Sequence, residues 1–118
     1  MDNVIATKSY AFAIRVVKLY KLLSQDKKEF ILSKQLLRSG TAIGALVREA
    51  EHGQSKADFL SKMNIALKEA NETEYWLLLL KDTDYLLENE FQSIQKDCLE
   101  ILRLLISIVK STKNSLKK

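Results

Sequence analysis

The stretch KEANETEYWLLLLKD, residues 68–82, decides how this chain is read. Successive residues of a helix advance by about 100° around its axis, so the six apolar residues from Tyr75 to Leu80 occupy every side of the cylinder. One core cannot cover them all. Either this helix is surrounded by its own bundle, or it presents a second apolar face to something else.

Composition narrows the surroundings of that helix. The chain has 118 residues, enough for one domain with a modest core and no room for a second. It has no proline and three glycines, and it is rich in Leu, Lys, Ala, Glu and Ser, a set that favours long helices over sheets. The single Cys98 excludes an internal disulfide framework, and the start MDNVIATK lacks the basic and apolar regions of a signal peptide. A cytoplasmic location is expected. No membrane partner is expected either, because the run ILRLLISIV carries Arg103 and the leucine run ends at Lys81 and Asp82.

Four helices can be drawn, over about 4–24, 30–52, 56–87 and 91–111, with residues 112–118 as a fraying basic tail. The first has Ile5, Phe12, Val16, Leu19 and Leu23 in one stripe, and the second has Leu32, Leu36, Ile43, Val47 and Ala50. Gly53 is expected as a left-handed cap after the second, and Ser55 as the N-cap of the third, with Asp58 in its first turn. The third stripe reads Phe59, Met63, Ala66, Ala70, Thr73, Leu77, Leu80 and Leu87; the fourth reads Phe91, Ile94, Cys98, Ile101, Leu105 and Ile108. Long helices on short connections imply an all-α, up-down-up-down antiparallel four-helix bundle.

With those stripes assigned inward, a surplus remains. Trp76 and Leu79 point away from the core and continue a line through Ile65 and Leu86. Tyr10, Ala13, Val17 and Tyr20 form a second line on helix one, with Ile14 almost opposite its core, and Leu99, Leu104 and Ile106 add to the surplus on helix four. Leaving such residues wet forgoes about 1.5–3 kcal/mol for each large side chain that could be buried, so a subunit interface is expected. In RSGTAIGA, Gly40 and Gly44 lie one turn apart inside a helix, each costing about 1 kcal/mol relative to alanine. Together with Ser39, Thr41 and Ala45 they make a low-profile segment that admits another helix closely, and both glycines join the expected interface. A phosphate-binding loop does not fit, since no strand precedes them and no Gly-Lys-Ser/Thr follows.

Catalytic chemistry finds little support. Glu49 and His52 have the Glu-x-x-His spacing of di-iron carboxylate bundles, but one histidine cannot complete such a site within a subunit; a site shared by symmetry stays open. Glu69, Glu72 and Glu74 lack a visible nucleophile or base, and Cys98 lies on the core stripe. No enzyme activity, cofactor or metal is expected.

The basic residues are more informative. Residues 1–48 carry nine Lys/Arg against three Asp/Glu, residues 49–100 five against twelve, and residues 101–118 five against none. Lys8, Arg15 and Lys18 on helix one, Lys34, Arg38 and Arg48 on helix two, and Lys110, Lys113, Lys117 and Lys118 at the end are candidate phosphate contacts for RNA or DNA. No base-reading motif accompanies them.

The segments QLLRSGTAIGALVREAE and SKADFLSKMNIALKEANETEYWLLLL together resemble the signature of the four-helix bundle family of 23S rRNA intervening-sequence proteins, from about Gln35 to Leu80. That family is related to the accessory variability determinant of diversity-generating retroelements, a basic homopentameric barrel that binds nucleic acid and a reverse transcriptase. The resemblance implies a homo-oligomeric, five-fold ring that binds nucleic acid or a nucleic-acid-processing protein, the alternative being a scaffold for proteins alone. Ala42 and Leu46 depart from the Ser and Asn common in relatives, which puts any polar contact of that Asn in doubt. Nothing in the sequence makes the chain a structural component of the ribosome.

Overall fold

The ends of the helices are set by side chains rather than by proline or left-handed glycine. In the computed structural model, which describes residues 3–117, four α-helices follow one another: α1 (Val4–Lys21), α2 (Leu32–Glu51), α3 (Lys56–Asp82) and α4 (Glu88–Leu116). A single π-helical turn, Leu22–Asp26, prolongs α1. Each helix packs against the next, and α4 returns to α1 along a looser seam, giving an antiparallel bundle about 51 Å long.

Glu29 starts α2. Its carboxylate accepts from the backbone N–H groups of Ile31, Leu32 and Ser33, at 3.2, 3.1 and 2.7 Å, taking up donors that a helix N-terminus leaves without partners. Burial opposes the charge, but these amides, Ser33 foremost, outweigh it and hold the carboxyl below its ordinary range. Sequence reading missed this cap because Glu29 lies two residues before the formal N-cap, Ile31. The preceding Lys28 has a φ of 59° and turns the chain back toward α2.

Asp84 ends the third helix earlier than the leucine run suggests. With a φ of 70° it occupies the left-handed position of a Schellman motif: the Tyr85 N–H donates to the Leu80 carbonyl at 2.9 Å and the Asp84 N–H to Lys81 at 3.1 Å. Helical phase is lost there, so Leu86, expected outside, is buried, and Leu87, expected in the core, is 65% exposed as the N-cap of α4. The remainder of the leucine stretch divides as periodicity predicts, with Leu77 and Leu80 fully buried and Leu78 outward.

Gly53 corrects another expectation, since none of the glycines has a positive φ. It is small because a Cβ there would lie 2.9 Å from Asp58 Oδ2 and 3.0 Å from the Ala50 carbonyl. Ser55 caps α3 as expected, accepting from the Asp58 N–H at 3.1 Å. The last segment does not fray at residue 112: α4 stays helical to Leu116, where the Lys56 ammonium donates to Ser115 Oγ.

Apart from the Glu29 carboxylate, the buried polar side chains among the described residues are hydroxyls, each with a partner. Thr73 Oγ1 lies 2.9 Å from Ser39 Oγ and 2.8 Å from the Glu69 carbonyl, joining α2 to α3 at mid-bundle. Between α1 and α2 the small residues set the spacing. A Cβ on Gly40 would meet both Val16 methyls at 2.8 Å, and one on Gly44 would lie 3.4 Å from the Ser9 carbonyl oxygen. The helix admitted by this low-profile segment is therefore α1 of the same chain.

These contacts and the Glu29 cap yield three stability predictions. Gly40→Ala should lower the unfolding free energy by about 1–3 kcal/mol, since overpacking a buried Val16 exceeds the helix propensity recovered. Gly44→Ala meets only ordinary contact and should be neutral or stabilising by up to about 1 kcal/mol; denaturant midpoints distinguish the two. Glu29→Gln should cost about 1–2 kcal/mol at neutral pH. A depressed folded-state pKa gives stability that is present above the unfolded value near 4.3 and is lost as pH falls through the folded value, so the two proteins should converge in urea titrations once the pH has fallen below that folded value.

Candidate functional site

Exposed apolar residues lie along the helices and at their connections, and two groups on the helices stand out. Along the outer seam of α1 and α2 runs a trough of about 710 Å³ whose floor is small, with Ala6, Ala13, Gly44 and Ala45, and whose wall is Tyr10. The shallow floor follows from the close approach of the two helices, and Tyr10 is 61% exposed beside it. Ile14 is exposed on the same helix. On the opposite side, Tyr75 and Leu78 of α3 and Ile106 of α4 are exposed.

The expected interface residues divide accordingly. Tyr10, Ile14 and Ile65 are outward, and Gly44 lies half-buried in the trough floor. Val17, Trp76, Leu79 and Leu104 are half-buried; Trp76 and Leu104 pack on the core of their own subunit, Leu104 beside Val4, Ile5, Phe59 and Ile108 in an apolar recess at one end of the bundle. Gly40 and Leu86 are corrections: both are buried within the subunit, Gly40 against Val16 and Leu86 through the phase break at Asp84.

The basic residues divide in a similar way. Lys8 pairs with Glu100 at 3.1 Å, and Arg15 with Asp97 at 2.7 Å while also donating to the carbonyl and hydroxyl of Ser93. Arg38 pairs with Glu69 at 3.0 Å and with Glu72. Glu72 is held below the ordinary carboxylate range chiefly by the Trp76 indole N–H at 2.9 Å, with Arg38 adding to the effect against burial. Arg38 is in turn pushed further into its charged range, first by its hydrogen bond to Glu72. These three basic side chains are neutralised within the subunit and offer no net charge to a polyanion.

Lys18, Lys34, Arg48, Lys110, Lys113 and Lys117 form no ion pair with described residues, and all are exposed. Lys118 lies outside the described residues. Because α4 continues as a helix, Lys110, Lys113 and Lys117 recur at i, i+3 and i+7 and share one face. Lys8 pairs with Glu100, and Val4 shares a recess with Leu104 and Ile108, so the last two turns of α4 run past the start of α1. Sequence reading passed over Lys21, Lys27 and Lys28, which are exposed with Lys18 and Lys34 around the α1–α2 connection; the signal was the density of lysine in KLYKLLSQDKKEFILSK.

Among the described residues, no group of three or more His, Cys, Asp and Glu side chains could hold a metal. His52 is exposed at the end of α2, where it borders the trough with Arg48 and Glu49. Cys98 is fully buried, with its thiol 3.7 Å from the Ala70 carbonyl, and burial first, then the charges of Glu74 and Asp97, push it up to about 12.

With this geometry established, comparison with known proteins is decisive for ancestry. The family model described as 23S rRNA-intervening sequence protein matches residues 1–107. The chain belongs to this family. Its fold is also that of a crystal structure from Bacteroides thetaiotaomicron VPI-5482, described as a protein of unknown function from the S23 ribosomal protein family. The two are 60% identical, with a TM-score of 0.90 over 92% of this chain and 96% of the other. Among curated proteins no match is found. Among the described residues of this family member, no helix is long and apolar enough to cross a membrane.

The burial of Cys98 gives a direct test of thiol reactivity. Native protein should resist alkylation between about pH 7 and pH 9, labelling only at the rate of unfolding. Rapid labelling, followed by mass spectrometry, would show instead that the thiol is reachable in the folded state.

Proposed function

We propose that this protein is a non-enzymatic, homo-oligomeric bundle of the cytoplasm that binds nucleic acid, or a protein that processes it, through lysines its own acidic residues do not neutralise. The observation that carries the reading is the extension of α4 past α1, where Lys110, Lys113 and Lys117 share one face without an ion pair to a described residue. A row of ammonium groups on a rigid rod suits the regular charge of a phosphate backbone and binds it with little sequence preference.

Self-association rests on the exposed apolar residues. The trough beside Tyr10 and the outward Tyr75, Leu78 and Ile106 lie on opposite sides, an arrangement suited to heterologous contacts that close into a ring. Five subunits is the stoichiometry implied by the family resemblance. A ring repeats the α4 lysines around an axis, and multiple weak phosphate contacts then act together.

Fluorescence anisotropy with structured RNA and duplex DNA, on protein of measured mass, tests the reading. Wild type should be oligomeric at micromolar concentration, and the exposed-site change Tyr10→Glu should shift it toward monomer with helicity unchanged. Reversing Lys110, Lys113 and Lys117 to Glu should weaken binding at least about tenfold and reduce the salt slope by about one per lysine, with assembly intact. Reversing Arg38 should change binding little, since its charge is already paired. A monomeric wild type would remove the ring, and an absence of binding even at low salt would leave a scaffold for proteins.

A further inference from the structure

The connection between α1 and α2 carries exposed residues that neither the trough nor the α4 lysines account for. Phe30 is 50% exposed and Ile31 75% exposed, the latter the highest value among the large apolar residues. Their backbone is nevertheless fixed, because the Ile31 N–H and the two that follow it donate to the Glu29 carboxylate. Around them Lys27, Lys28 and Lys34 are exposed, and Lys18 and Lys21 continue the basic track along α1. None of the five pairs with a described acid; of the two carboxylates that flank Lys27 and Lys28 in sequence, Asp26 is exposed and Glu29 is turned inward on the α2 amides.

We propose that this hairpin is a platform for single-stranded nucleic acid, on which a base stacks against Phe30 while Lys27, Lys28 and Lys34 contact the flanking phosphates. The proposal rests on the nucleic-acid reading above and adds the kind of strand and the place where it binds. An aromatic face set among ammonium groups is the combination that recognises unpaired bases, because every base has a π-face and every linkage a phosphate. A duplex keeps its bases stacked on each other and could use only the lysines.

The same end of the bundle argues against an anionic bilayer as the occupant. Lys18 and Leu22 share a surface hollow with Asn89 and Glu90, so the α1–α2 and α3–α4 connections lie side by side. On and beside the second connection Asp82, Asp84, Glu88 and Glu90 are exposed, and the single Lys81, which pairs with Asp82 and Glu88, leaves the acids in excess. A flat anionic surface would meet both connections and be repelled by one of them, whereas a single strand can follow the basic one alone.

The test is anisotropy with a labelled uridine oligomer of about 15 nucleotides and a duplex of equal length, at about 50 mM salt, using wild type, Phe30→Ala, Phe30→Trp and the double reversal Lys27→Glu/Lys28→Glu. Phe30→Ala should weaken oligomer binding about tenfold and leave duplex binding unchanged, Phe30→Trp should restore it, and the lysine reversal should weaken both. Thermal melts confirm that each variant is folded. If wild type binds the oligomer and Phe30→Ala binds it equally well, the platform is overturned while the nucleic-acid reading stands. If wild type binds neither probe, that reading fails and the platform with it. Phe30-dependent sedimentation with phosphatidylserine vesicles, without RNA binding, would overturn the proposal in favour of a membrane contact.

Discussion

The contact of Gly40 with the methyls of Val16 fixes how closely α1 and α2 lie, and much of the remaining surface depends on that distance. Two helices that meet backbone to side chain, with no Cβ between them, gain many short dispersion contacts and give up the helix propensity an alanine would supply. The exchange has an outward consequence. When helices approach this closely, the outer seam between them can hold only small side chains, and here it holds Ala6, Ala13, Gly44 and Ala45. The trough is thus the reverse side of an internal packing solution. Its shape comes without further cost, and Tyr10 and Ile14 then supply apolar area beside it.

The connections show a second economy. A chain without proline must stop its helices by hydrogen bonding and by left-handed residues, and this one places Lys28 and Asp84 in conformations that glycine adopts more readily. Each choice keeps a charge at the same end of the bundle: Lys28 on the basic connection, Asp84 on the acidic one. Glu29 compensates at the first by caging the start of α2, so the exposed Phe30 and Ile31 sit on ordered backbone. Local strain and local capping therefore meet within a few residues, which is where backbone strain is commonly retained for a purpose.

How much of this was legible follows from what each feature depends on. The four helices and most of their core residues were readable because burial imposes a period of 3.6 over many turns, and an error at one position is corrected by its neighbours. Leu86 and Leu87 were exchanged because the period fails at Asp84, and a left-handed aspartate has no strong sequence mark. The glycine pair was read correctly as a place of close approach, yet sequence cannot say whether the approaching helix belongs to the same chain; Val16 and Ser9 show that it does. The ion pairs of three basic candidates are hidden in the sequence for a related reason. Lys8, Arg15 and Arg38 look available in one dimension, and only the fold brings Glu100, Asp97, Glu69 and Glu72 to them.

The segregation of charge along the chain takes on a different meaning once folded. The basic first half and the acidic middle meet within one subunit, where Arg38 joins α2 to α3 and Lys8 and Arg15 join α1 to α4. Such exposed pairs contribute little to stability, about 0–1 kcal/mol each, so their main effect is on the field outside the molecule. They cancel charge locally, where α2 meets α3 and α1 meets α4, and leave single exposed cations such as Lys68, Lys96 and Arg103 on the flanks. Among the lysines without an ion pair to a described acid, one group gathers around the α1–α2 connection and another along the last turns of α4, while Lys62, Lys68 and Lys96 lie along the flanks. The proposed contact with a polyanion rests on the two basic groups, where several ammonium charges lie close enough for their fields to add, and not on the isolated cations of the flanks.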